Sequence, residues 1–192
     1  MKFIQRCAAV AALSMVATAS MAMQPAEHTA AKNRISTDYK AAKSQCDVLK
    51  DNAKDICMKE AKGNEDIAKA ELEAQYKPNE KSQYKARVAR ADAAYEVAKE
   101  RCDDQTGNAK DVCKKEAKAE HVRAVENAKV AQAQAKPADT STERGAAVSE
   151  ARKDAAEEKR EADYKAAKER CDSMSGDAKD KCVDDAKRKY AQ

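Results

Sequence analysis

Three cysteine pairs share one spacing: Cys46/Cys57, Cys102/Cys113 and Cys171/Cys182 are each eleven residues apart. Along one unbroken helix that distance is about three turns. The two sulfurs would face the same way but lie roughly 16 Å apart along the axis. A disulfide needs its Cα atoms within about 7 Å. So either the pairs form between molecules, or the chain reverses direction between the two cysteines.

The intervening residues favour reversal. Gly107 and Gly176 sit midway and suit a left-handed position at a helix end. Asn52, Asn108 and Asp177 follow, all residue types that cap a new helix, with Asp55, Asp111 and Asp180 three positions later. The first pair has Asp51 where the others have Gly, which weakens its turn signal. Around each pair lies one repeated unit: YKAAKSQCDVLKDNAKDICMKEAK (39–62), YEVAKERCDDQTGNAKDVCKKEAK (95–118) and YKAAKERCDSMSGDAKDKCVDDAK (164–187). Neighbouring copies share 14 of 24 positions without a gap, and Tyr and both cysteines fall in register each time.

The faces agree with a hairpin. Tyr39–Ala42–Cys46, Tyr95–Ala98–Cys102 and Tyr164–Ala167–Cys171 have the 3,4 spacing of one helical stripe. Ala61, Ala117 and Ala186 follow the second cysteines by four. Reversal stacks a disulfide on a layer of Ala, which is small enough to let the helices approach. The unit reads as an αα-hairpin stapled near its tip. A set of free, buried cysteines is the alternative. Zinc fits poorly, because the spacing is wrong for a finger and no His accompanies the pairs.

The expected fold is therefore all-α and elongated, with three repeated disulfide-stapled hairpins. The boundaries read as hairpin 1 over 35–78, hairpin 2 over 79–136, a linker over 137–145 that isolates the third unit, and hairpin 3 over 146–192. Pro78 and Pro137 punctuate the helices. Gly63-Asn64 is a candidate kink. Residues 23–34 read as a mobile leader containing a surface His28, and His121 as an exposed or half-buried residue. The charged approach EARKDAAEEKREAD (150–163) reads as a helix standing in solvent on i,i+4 ion pairs. Val, Ile, Leu and Phe number 14 among the 170 residues after position 22, too few for a globular core. Long helices with thin, coiled-coil-like seams follow instead.

Residues 1–22 have the form of a cleaved secretory signal. Lys2 and Arg6 precede a short apolar run, and Ala19 or Ala22 ends a small-residue cleavage site. Cys7 leaves with it, and six cysteines remain for an oxidising compartment, expected to be the periplasm. Beyond residue 22, 36 basic residues face 34 acidic ones, interspersed, which argues against nucleic acid as a partner. No stable membrane insertion is expected after cleavage.

The chain shows no phosphate loop, metal-protease helix, nucleophile elbow or CxxC. No enzyme activity, catalytic residue, metal or cofactor is expected, and the six paired cysteines are the only assigned site residues. The tracts ARVARADAAYEVA (86–98) and AAVSEARKDAAEEKREA (146–162) resemble the Ala/Lys/Glu-rich helical region of the TolA family. They also resemble small exported proteobacterial envelope proteins that borrow its label. The resemblance implies a long helical spacer and carries no residue role, since neither an uncleaved anchor nor a C-terminal globular domain is recognised. The expected function is a periplasmic spacer or scaffold with envelope proteins as partners and self-association permitted. The alternative is a stress-related holdase for unfolded clients. Amphipathic lipid binding fits less well, because the seams lack Trp, Phe and Leu.

Overall fold

The computed structural model describes residues 23–191. The segment 1–22, expected to be a secretory signal, lies outside the described residues. Among the described residues six α-helices follow one another: α1 (Pro25–Cys46), α2 (Asp51–Tyr76), α3 (Glu80–Arg101), α4 (Gly107–Ala135), α5 (Ser141–Cys171) and α6 (Gly176–Tyr190). A single 3-10 turn, Cys102–Asp104, extends α3. The described chain is all-α, built from three stapled hairpins: α1/α2, α3/α4 and α5/α6.

Each helix packs chiefly on the helix before it and the helix after it. Consecutive helices are antiparallel, so the chain forms one serpentine layer. All three disulfide tips lie at one end of the layer. The connections 77–79 and 136–140 lie at the other.

The core is thin. Among the described residues thirteen apolar ones are buried: nine Ala, three Cys and Leu72. Only Cys46 is buried in α1 and only Ala186 in α6, because each of these helices has a neighbour on one side. The inner helices bury two faces, and Ala brings their axes close enough for dispersion contacts along both.

Several expectations from the sequence are corrected. Residues 25–34 are not a mobile leader but the first turns of α1. The start signal was present: Pro25 occupies the first turn, and Glu27 reaches back to the Gln24 N–H at 3.0 Å. Tertiary contact holds this segment, since His28 stacks on Tyr76 at 4.1 Å and bonds Glu73 at 2.8 Å. His28 is therefore half-buried, not a surface residue. Gly63 does not kink α2, which runs unbroken.

The 137–145 linker shrinks to 136–140. Thr140 caps α5 by accepting from the Glu143 N–H, and its own N–H donates to the Glu143 carboxylate, both at 3.1 Å. Nor does the linker isolate hairpin 3, because α4 and α5 pack along an extensive seam. Ala155 is 2 % exposed, so the charged stretch 150–163 lies against α4 rather than in open solvent.

The turns repeat faithfully. Asp51, Gly107 and Gly176 hold φ values of 50°, 57° and 55°. Hairpin 1 thus adopts the same reversal without glycine. An L-residue in the left-handed region is strained by roughly 1–2 kcal/mol. Asp51→Gly is expected to stabilise hairpin 1 by about 0.5–1 kcal/mol, after allowing for the freer unfolded chain. A rise in the denaturation midpoint checks this, and a fall would mean that the Asp51 side chain is needed in the turn.

Candidate functional site: the stapled tips and the seams

The six cysteines predicted as site residues are brought together as three bridges, Cys46–Cys57, Cys102–Cys113 and Cys171–Cys182. Their Cα separations are 5.5, 5.6 and 5.7 Å. The first cysteine of each pair ends the outgoing helix and is buried, at 0 %, 1 % and 0 % exposure. The second lies half-buried on the returning helix. A bridge closing so short a loop contributes on the order of 3 kcal/mol, mainly by constraining the unfolded chain.

An ion pair recurs beside each bridge. Lys54 meets Asp47 at 3.0 Å, Lys110 meets Asp103 at 2.8 Å and Lys179 meets Asp172 at 2.8 Å. Each spans the turn, from the residue after the first cysteine to the first turn of the returning helix. In hairpin 2 a second lysine, Lys114, also reaches Asp103 at 2.8 Å. The two ammonium groups hold the Asp103 carboxyl at about 2. Lys179 likewise lowers Asp172. The sequence signal was the Asp and Lys at fixed offsets in all three copies.

Asp103 titrates below its ordinary 3.8 in the folded chain. Its ionised form therefore stabilises hairpin 2 above that value, and the contribution is lost as pH falls toward about 2. Carboxyl chemical shifts followed by NMR should show Asp103 titrating last among the aspartates. Lys110→Ala with Lys114→Ala should return it to the common range.

Two of the three residues expected to cap the returning helices, Asn52 and Asn108, do something else. The N-cap positions are Lys50, Thr106 and Ser175, and none caps through its side chain. The Asn52 amide instead donates to the Glu100 carbonyl at 3.1 Å, across to the end of α3. The Asn108 amide donates to the Glu169 carbonyl at 3.1 Å, near the end of α5. Both satisfy helix-terminal acceptors of the next hairpin.

These bonds open two seams, α2–α3 and α4–α5, that are more extensive than any stapled pair. In the first, Lys59 meets Glu96 at 3.0 Å and Arg101 meets Glu60 at 2.7 Å. Lys99 and Lys59 together lower the Glu96 carboxyl. Gly63 lies so close to α3 that an added Cβ would stand 2.8 Å from the Ala93 Cβ. In the second seam, Arg170 meets Glu116 at 2.5 Å and Arg123 pairs with Asp163. Across hairpin 2, His121 bonds Asp92 at 2.6 Å and rests on Tyr95 at 4.8 Å.

The tip end also exposes apolar side chains: Val48 at 82 % and Leu49 at 40 % on the first tip, and Met174 at 45 % on the third. Among the described residues no group of three or more His, Cys, Asp and Glu could hold a metal ion. No helix among them is long and apolar enough to cross a membrane. The arrangement offers a charge-laced surface with a few exposed apolar side chains at its tip end. In comparisons with known proteins, no family, no curated protein and no solved structure matches this chain.

Proposed function

We propose that the protein is a non-enzymatic helical scaffold of an oxidising, exported compartment, the periplasm, that spaces or holds envelope proteins. The observation that carries this reading is the regular array itself: three hairpins, each closed by a disulfide and keyed to the next by ion pairs and an amide clamp. Rigidity is built by repetition, as in solenoid proteins that present long surfaces. The signal-like segment 1–22 and the TolA-like tracts support export and an envelope role. The interspersed charges suit protein faces rather than nucleic acid.

A second reading has one observation in its favour. Val48, Leu49 and Met174 expose apolar surface at the tip end, and a holdase for unfolded clients would use such surface. Photo-crosslinkers at Val48, at Met174 and on the outer faces of α1 and α6 separate the two readings in intact cells. A scaffold gives a few discrete adducts that persist in unstressed cells. A holdase gives a broad smear that grows on heat or acid shock and depends on the tip positions. If no position gives adducts above the level of an unrelated exported helical protein, both readings fall.

A further inference from the structure

We propose that the hairpin-to-hairpin interface is a directional docking surface whose partner is another copy of the same repeat, and that the outer faces of α1 and α6 are altered so that neither accepts a further copy. The inference rests on the two seams and not on the scaffold reading. Each seam joins the returning helix of one copy, its tail face, to the outgoing helix of the next, its head face. Copies are offset by 56 and then 69 residues, so equivalent positions can be compared directly.

Four tail positions and three head positions toward the tips recur in both seams, and farther along Arg90 with Glu71, then Lys159 with Asn127, repeat one more contact. The first tail position is Asn52, then Asn108, each donating at 3.1 Å to the carbonyl of the head Glu100, then Glu169. The second is Lys59, then Lys115, each 3.9 Å from the carboxylate of that same Glu. The third is Glu60, then Glu116, each paired with the head Arg101, then Arg170. The fourth is the close approach: Gly63 is buried against the head Ala93, and its counterpart Ala119 is buried too, with Ala162 at the register position of Ala93. The interface is heterologous, tail to head. Such an interface builds an open chain unless something ends it.

The outer faces depart from the tip-side set at all seven positions, while Arg34 keeps the basic residue of Arg90 and Lys159. On α6 the tail residues become Asp177, Asp184, Asp185 and Arg188, all exposed. The Asp177 side chain has no N–H to donate and would set a carboxylate against helix-terminal carbonyls. Asp184 reverses the lysine, and Asp185 shortens the glutamate. Arg188 puts a long cation where the seams need Gly or Ala. Asp184 and Asp185 are engaged on their own helix with Lys187 and Arg188. On α1 the head residues become Ser44, Gln45 and Thr37, also exposed. Both ion-pair partners are gone, and a branched Thr replaces Ala at the close approach. One opposite pair, Asp184 with Lys40, would still meet across such a junction, because Lys40 stands where Glu96 does. A single exposed pair is too weak to join two chains.

The test uses the disulfide-bonded full chain. One variant converts the tail face: Asp177→Asn, Asp184→Lys, Asp185→Glu and Arg188→Gly. A second converts the head face: Ser44→Glu, Gln45→Arg and Thr37→Ala. Sedimentation velocity should find the unaltered chain and each single-face variant monomeric. An equimolar mixture of the two variants should form a one-to-one complex, and a chain carrying both conversions should form oligomers that grow with concentration. A third variant places outer residues in an inner seam: Asn108→Asp, Lys115→Asp and Ala119→Arg. Its three disulfides should form as before, while amide exchange in α5 speeds up at least about tenfold and exchange in α2 and α3 stays unchanged. The proposal is overturned if the unaltered chain assembles, if either single-face variant self-associates, or if the helical, fully bridged mixture remains monomeric. Unchanged exchange in α5 of the third variant would overturn it equally.

Discussion

Replacing Cys171 and Cys182 together by Ser is expected to release α6 from the array while α1–α4 keep their structure. The bridge closes a short loop, so its loss costs on the order of 3 kcal/mol. What remains cannot hold α6. The helix has fifteen residues, near the lower limit for a helix alone in water. It buries only Ala186, and its packing on α5 is the slightest of the five helix pairs. The Asp172–Lys179 pair is exposed and contributes little without the staple. Amide exchange should rise through 176–190 to nearly that of an unfolded peptide, and far-UV circular dichroism should fall by about one short helix. The same change at Cys102 and Cys113 should leave α3 and α4 in place at lower stability, since each has a second neighbour. If α6 kept its protection, the staple would not be what holds it. If the whole chain unfolded, the hairpins would not be separable units.

Gly63→Leu is expected to be the most disruptive single substitution away from the disulfides. A Cβ at position 63 stands 2.8 Å from the Ala93 Cβ and 3.4 Å from its Cα. Those atoms are fixed to the α3 backbone and cannot rotate away, so the helices must separate. Separation loosens the neighbouring pairs Glu60–Arg101 and Lys59–Glu96. Overpacking of this kind costs about 1–3 kcal/mol, and the larger side chain puts Leu at the upper end. The gain in helix propensity over Gly offsets about 1 kcal/mol at most. A net loss near 2 kcal/mol should appear as a lower denaturant midpoint, with faster exchange in α2 and α3. Ala93→Gly should recover part of it. Gly145→Leu is the control: nothing lies within 4 Å of a Cβ there, so only the propensity gain remains. Equal effects at the two sites would remove the close-packed seam from the account.

Much of this fold is local and therefore legible in the chain. Helices follow from Ala, Lys and Glu, their ends from Pro78 and Pro137, and the stapled turns from the cysteine spacing, because eleven helical residues cannot bring two sulfurs together. The caps at Pro25 and Thr140 were equally local, hidden only by the polar composition around them. The seams were not legible. Asn at 52 and 108 suits a helix cap and an inter-helix clamp equally well, and only the position of the next hairpin selects the clamp. Gly63 reads as a breaker until Ala93 arrives beside it. Ala occurs on every face of α2 to α5, so no strong apolar stripe marks which face meets a neighbour, and one methyl group buries too little to decide alone. The sequence by itself determined the hairpin, since its constraint is covalent and short-range. The tertiary structure alone decided how hairpins join, since that rests on many weak contacts which exist only once two helices lie side by side.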